Sequence, residues 1–261
     1  MTRQTIYQHF GEDEKAFVDK AKDIQRQVED YYSLQLTDFL NPRQLQVMRT
    51  VLGQSSLQTF SSGDFFKSEY ARLLIAPDYY VFDSEDFEIS LIEIVYHSKF
   101  NQLTHAQIMG SLINKLGIER QIFGDILVGD GRAQFFVKAN MAAYFINTIK
   151  KIGRVGVTLK EVPFHEQLQL SAKAQEQDIL VSSMRLDAIL ATSLKISRGT
   201  ALKLIEAEKV KVNYATVSKP ALELVLGDML SIRGFGRLTL TRDKGFSKSG
   251  KHKLIIDRIA H

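Results

Sequence analysis

Between residues 88 and 162 the apolar side chains change their spacing from segment to segment, and the order of those changes leaves few folds open. Residues 88–96 are rich in β-branched and aromatic residues, the composition of a strand. Thr104 and Gln107 stand at capping-box spacing, and Ile108, Met109, Leu112, Ile113 and Leu116 continue as one helical stripe closed by Gly117. Residues 123–128 read as a strand, Gly129-Asp130-Gly131 as a hairpin turn, and residues 132–138 as the partner strand. Residues 139–152 return to helical spacing, with Met141, Tyr144, Phe145, Thr148, Ile149 and Ile152 on one side and Gly153 as the stop. Residues 155–162 are a last strand.

This β-α-β-β-α-β order predicts a ferredoxin-like domain, the topology also used by RNA-recognition motifs, with a four-stranded antiparallel sheet backed by two helices. RNA-recognition motifs stack bases on aromatic rings of the third strand. Here that strand is Arg132-Ala133-Gln134-Phe135-Phe136-Val137, a partial match without the internal glycine. Neighbouring residues point to opposite faces, so at least one of Phe135 and Phe136 belongs to the core. Stacking of RNA on the other ring is one reading of this domain, and a packing or docking module is the alternative.

Upstream, Phe10, Phe17, Ile24 and Tyr31 recur every seven residues, with Ala21 and Val28 in the same stripe and Glu12, Asp13 and Glu14 in the first turn. A second helix is expected from Pro42, capped by Asn41 and ended by Gly53. Residues 61–64 read as a turn and residues 72–75 as a strand stopped by Pro77, with Glu69 and Arg72 as a local ion pair. The chain of 261 residues is then α+β throughout: a helix-rich N-terminal α/β region (1–80), the central domain (81–165), a polar linker (166–181) and a C-terminal module (182–261).

Composition sets limits on the chemistry. Cysteine is absent, which excludes disulfides, thiolate metal sites and cysteine nucleophiles. There is no apolar run of about 18 residues and no export signal, so no membrane partner is expected and the cytoplasm is the default. Charge is unevenly spread: from Ser182 onward there are 15 Lys and Arg against 7 Asp and Glu, a net of +8, whereas the preceding residues carry 19 against 23, a net of −4. A basic module on an acidic body suits a polyanion, nucleic acid before an anionic membrane. A plain solvated basic face is the alternative.

The basic module also carries an ordered set of residues. It runs Arg185-Leu186-Asp187, Leu190, Ser197-Arg198, Ala201, Leu204-Ile205-Glu206, Val210-Lys211-Val212-Asn213, Lys219-Pro220, Gly227-Asp228, then Ile232-Arg233-Gly234-Phe235-Gly236-Arg237. Over about residues 183–240 this resembles the S4 RNA-binding domain, two short helices plus a small β-sheet. In that frame Ser197 caps the second helix, Asn213-Tyr214 makes a tight turn, and Gly227-Asp228 leads into the strand at 229–232. Arg185, Lys195, Arg198, Lys203, Lys209, Lys211 and Lys219 are then expected on one broad positive surface, suited to the phosphates of folded RNA. Ser197, Asn213, Arg233 and Arg237 complete the candidate contacts. Asp187 reads equally as an internal partner of Arg185, and Arg233 and Arg237 as residues that solvate a loop. The tail, with Lys244, Lys248, Lys251 and Lys253 among Gly and Ser, reads as a flexible phosphate-binding arm or a solvated terminus, the arm being slightly favoured.

A central block joins these residues: His105, then Gly110-Ser111-Leu112, then Gly117-Ile118-Glu119-Arg120-Gln121-Ile122-Phe123-Gly124-Asp125-Ile126. Together with the C-terminal S4 pattern, the whole chain is similar to the YlmH family of bacterial RNA-binding proteins, with Gln107 where that family usually has an aspartate. The resemblance implies a non-enzymatic, ribosome-associated protein whose partners are rRNA, tRNA and the large ribosomal subunit. It also implies a role in ribosome-associated quality control and a link to cell division. No cofactor and no metal is implied, and no catalytic residue is assigned. The alternative is an RNA-modifying enzyme of pseudouridine-synthase or methyltransferase type that uses the S4 module for targeting. Against it, no G-x-G-x-x-G occurs, the six histidines lack metal-ligand spacing, and Asp125 is the one tempting carboxylate outside the S4 pattern.

Overall fold

The computed structural model describes Phe10 and residues 14–53, 55–129, 131–169 and 175–259. The chain divides into two compact units, Met1–Leu170 and Ser171–His261.

The first unit opens with helix α1 (Lys15–Tyr31), which buries Val18, Ala21 and Val28, with Phe10, Phe17 and Ile24 packed beside them. Glu12 and Asp13 fall outside the described residues, and Glu14 pairs with Arg43 at 2.7 Å. Tyr31, the last ring of the expected stripe, is exposed. After strand β1 (Gln35–Leu36) comes helix α2 (Pro42–Leu52), where the Asn41 side chain accepts from the Gln44 amide and Gln44 answers in a capping box. Strands β2 (Gln58–Ser61) and β3 (Leu73–Ala76) complete a three-stranded sheet in the order β1-β3-β2.

Arg72 does not pair with Glu69 as expected. It is buried, and its guanidinium donates to the carbonyls of Thr37, Phe87 and Glu88 at 2.8–2.9 Å. Burial lowers its pKa, with the Glu88 carboxylate opposing from 4.0 Å. Three carbonyls from two separate segments thus converge on one cation, which ties the start of the central domain to the N-terminal sheet.

The central domain contains β4 (Ile89–Val95), α3 (His105–Gly110) continued by a π-turn over Ser111–Lys115, β5 (Phe123–Val128), β6 (Ala133–Lys138) and α4 (Ala139–Thr148). The ribbon β7 (Lys151–Ile152) and β8 (Val155–Gly156) precedes β9 (Thr158–Val162). Four strands pair antiparallel in the order β5-β6-β4-β9, the ferredoxin-like order. Helix α4 stops four residues earlier than its spacing suggests. Ile149 turns extended, Gly153 at φ 60° makes the ribbon's turn, and Ile149 and Ile152 are buried from outside the helix.

Both faces of this sheet are covered. Phe135 and Val137 pack with Ile108, Leu112 and Phe145 on the helix side. On the other side Phe136, Leu91, Leu127 and Val162 pack against Phe39, with Phe66, Tyr70, Phe164 and Leu168 alongside. Phe135 and Phe136 are 0% and 1% exposed, so neither ring is open for base stacking. Gln134, also fully buried on that second side, donates to the Glu166 carbonyl and accepts from the Leu168 amide, locking the covering segment in place. At Gly124 an added Cβ would lie 2.8 Å from the Phe39 ring, so this glycine is what lets Phe39 reach the sheet.

The second unit is one six-stranded antiparallel sheet with two helices. Its strands are β10 (Gln175–Val181), β11 (Val210–Val212), β12 (Ala215–Thr216), β13 (Met229–Ile232), β14 (Gly236–Phe246) and β15 (His252–Ile259), in the order β10-β15-β14-β13-β11-β12. Helices α5 (Leu186–Leu194) and α6 (Arg198–Glu206) bury Leu186, Ile189, Leu190, Ala201 and Ile205 against Val210, Leu230, Leu238, Leu254 and Ile256.

Two expectations are corrected here. The expected linker ends in strand β10, whose Ile179 and Val181 enter this core. The basic tail is no flexible arm: residues 236–259 form a hairpin, and β10 pairs with β15 from Gln175↔Arg258 to Val181↔His252. The stem of that hairpin spends its cations internally, with Arg242 on Glu176 and Lys244 on Asp178 at 2.8 Å.

Candidate nucleic-acid interface

A carboxylate is buried where the two helices of the second unit begin. Arg185 precedes α5 in extended conformation, so its side chain folds back over the first turn. Its Nε and Nη2 donate to the two oxygens of Asp187 at 3.0 and 3.2 Å. Arg198, the first residue of α6, reaches the same carboxylate at 3.3 Å. Asp187 is only 4% exposed and also accepts from the Ala188 amide. The Arg185 hydrogen bond holds this carboxyl below the usual carboxylate range, with burial opposing and Arg198 adding to the drop. Two guanidinium groups are therefore fixed side by side on one buried anion while both keep exposed surface. Fixed guanidinium forks match phosphate oxygens and forfeit less side-chain entropy on binding.

The other expected contacts fall into groups. Ser197 caps α6 by accepting from the Thr200 amide at 3.0 Å. The Asp187 amide donates to the Pro220 carbonyl at 3.1 Å, which brings the exposed Lys219 to the start of α5. The Arg233 amide donates to the Lys209 carbonyl at 2.9 Å, making these two cations neighbours at one end of β11 and β13. Lys211, Ser231 and Arg237 face one another across three strands, and the Arg237 guanidinium lies 5.8 Å from the centre of the Tyr214 ring.

Val210, Val212 and Leu238 point into the core under the helices, so Lys211 and Arg237 stand on the sheet face turned away from them. The helix residues Arg198 and Lys203 and the sheet residues Lys211 and Arg237 thus form separate groups rather than the one broad positive surface expected. Lys195, in left-handed conformation at φ 55°, and Lys203 are both exposed.

Asn213 forms the expected turn between β11 and β12, and its side chain bonds across it. Its Nδ2 donates to Asp228 at 2.7 Å, its Oδ1 accepts from the Met229 amide at 2.9 Å, and its backbone is left-handed at φ 48°. The side chain is spent on locking the β11–β12 turn to the Gly227-Asp228 turn. Sequence reasoning missed the double pairing of Asp187, because Arg198 lies eleven residues away with nothing local to mark it. It also gave Tyr214 no role beyond the turn.

Asp125 is the other carboxylate of interest. It accepts from the amides of Glu69 and Tyr70 at 2.6 and 3.0 Å, and burial raises its pKa. Arg120 lies 3.7 Å from the centre of the Tyr70 ring and 4.7 Å from that of Phe123. The block from Gly117 to Ile126 is therefore a joint between the N-terminal region and the sheet. Among the described residues no three His, Asp or Glu side chains gather as a metal site would require, and no helix is long and apolar enough to cross a membrane.

Three family models match the chain in succession: the N-terminal domain of YlmH over residues 13–80, a putative RNA-binding domain in YlmH over 83–166, and the S4 domain over 184–230. The ribosome-associated protein quality control protein P2 of Bacillus subtilis (strain 168) is 35% identical over 253 residues, covering 97% of this chain and 98% of that protein. The chain belongs to the YlmH family. A solved structure of the cell division protein ylmH from Streptococcus pneumoniae is 47% identical with a TM-score of 0.56, covering 62% of this chain and 99% of that one. Family membership places Arg185, Asp187 and Arg198 inside the S4 domain. The β14–β15 hairpin, residues 236–259, lies wholly beyond the S4 match, which ends at residue 230.

Proposed function

We propose that this protein binds RNA on the ribosome and carries out no chemistry of its own. The S4 domain contacts phosphates of folded RNA, and the partners are rRNA and peptidyl-tRNA on the large subunit, in the cytoplasm and away from any membrane. Its role is in ribosome-associated quality control, with a link to cell division. The observation that carries the reading is the pair Arg185 and Arg198, held on buried Asp187 at adjoining helix starts. That arrangement prepares two cations for phosphate and leaves the carboxylate unsuited to act as a base, since two guanidinium groups stabilise its charged form. Asp125 is likewise occupied by two backbone amides. The names of the two relatives, one ribosome-associated and one of cell division, support the setting. Crosslinking the cellular protein to RNA and sequencing the fragments tests it. Reads from large-subunit rRNA and tRNA are expected, whereas reads piled on one modified uridine support an RNA-modifying enzyme instead.

A further inference from the structure

We infer that the tip of the β14–β15 hairpin is a second RNA contact, stacking an unpaired base on Phe246 while Lys248 and Lys251 hold its flanking phosphates. This rests on the RNA-binding reading above and extends it beyond the residues that the S4 model matches.

Phe246 is 65% exposed and takes no part in the core of the second unit. It pairs across the hairpin with His252, the two rings 4.6 Å apart and inclined at 50°. His252 shares the inward parity of Leu254 and Ile256 and stands opposite the buried Val181 of β10, with Asp243 at 3.6 Å from its Nδ1. The ring pair is therefore a small aromatic surface at an exposed edge, and His252 buttresses the ring that faces solvent.

The turn that carries it is well fixed. The Ser247 amide donates to the Lys251 carbonyl at 2.8 Å, Ser247 Oγ accepts from the Lys251 amide at 3.0 Å, and the Gly250 amide donates to the Ser247 carbonyl at 2.9 Å. Gly245 and Gly250 take the left-handed conformations the turn needs, at φ 83° and 75°. Lys248, Lys251 and Lys253 are exposed around it.

Charge separates the stem from the tip. In the stem, Arg242 and Lys244 are matched by Glu176 and Asp178. From residue 245 to 256 the sequence has three lysines and no acidic residue. One open ring among unmatched cations fits a nucleobase and its phosphates, because base–aromatic stacking tolerates any base and lysines neutralise the backbone. A protein groove or a lipid surface would call for a wider apolar patch than one ring.

The chain has no tryptophan, so Phe246→Trp places a sole tryptophan at the tip, which red-edge excitation reads apart from the nine tyrosines. The full-length variant is titrated with a mixed-sequence single-stranded RNA of about twelve nucleotides and with purified large ribosomal subunits, beside heparin as a polyanion without bases. Quenching by both RNA samples and not by heparin is expected. Phe246→Ala should bind both RNA samples roughly 5- to 100-fold more weakly, with an unchanged melting temperature. Equal quenching by heparin, or unaltered RNA binding of Phe246→Ala, overturns the stacking site. Arg198→Ala separates the two levels. If it weakens RNA binding while Phe246→Ala does not, the hairpin inference fails and the S4 reading stands. If the wild-type chain binds neither RNA sample, the RNA-binding reading fails and takes the hairpin contact with it.

Discussion

Replacing Asn213 separates a residue that holds a turn from one that touches RNA. In Asn213→Ala two side-chain hydrogen bonds are lost, to Asp228 and from the Met229 amide. Both are exposed, so each is set at the low end of the usual range, about 0.5 kcal/mol. Alanine must also hold φ near 48°, a conformation that costs an ordinary L residue about 1 kcal/mol and asparagine less. The sum is about 2 kcal/mol. Asn213→Gly loses the same hydrogen bonds but not the strain, for about 1 kcal/mol. At roughly 4–8 °C per kcal/mol for a domain of this size, the alanine variant should melt about 8–16 °C lower and the glycine variant about half as far. The assay is a thermal melt followed through the second unit, paired with binding to ribosomal subunits at a temperature where both variants are folded. Binding should be close to wild type. An alanine variant that melts like the wild type yet loses RNA affinity would refute the reasoning, since the side chain would then be a contact and not a lock.

Phe136→Ala should destabilise the first unit by about 3–5 kcal/mol, the cost of emptying a fully buried ring site, whereas Phe136→Leu should cost much less; chemical denaturation measures both, and a stable alanine variant with reduced RNA affinity would restore the base-stacking reading. Asp187 has a depressed folded-state pKa, so its contribution is present above the unfolded value near ~3.9 and lost as pH falls through the lower folded value. Acid titration of the second unit should therefore show a loss of stability below about pH 4 that is reduced in Asp187→Asn, and identical acid profiles would contradict the pairing.

What the sequence made legible was mostly local. The Asn41 cap on α2, the Thr104 and Gln107 box on α3, and the Ser197 cap on α6 each need residues only three positions apart, and all are present. The order of the central strands followed because each element is short and its period distinct. What stayed hidden depends on distant partners. Strand β10 is recognisable only by its pairing with β15, nearly eighty residues on, because Gln175, Glu176 and Gln177 dilute the alternation that Ile179 and Val181 begin. Arg72 has a nearby carboxylate in sequence but takes carbonyls from Thr37, Phe87 and Glu88. The covering of Phe136 needs Phe39, almost a hundred residues away, and a glycine at 124 that a spacing argument does not single out. In the candidate interface the Arg185–Asp187 pair was visible two residues apart, while the second arginine on the same carboxylate was not.

The central claim is that the cations at the starts and faces of α5 and α6 meet RNA phosphates, and the salt dependence of ribosome binding tests it most directly. Full-length wild type, Arg198→Ala and Lys203→Ala are sedimented with purified ribosomal subunits across a series of salt concentrations. Each lost phosphate contact should weaken binding and flatten the plot of log affinity against log salt by about 0.7–0.9. Folding should hold, because Lys203 is exposed, and in Arg198→Ala the buried Asp187 carboxylate keeps both of its hydrogen bonds from Arg185. Parallel slopes and equal affinities for all three proteins would mean that this surface meets no RNA, and the S4 domain would then be a protein-docking module.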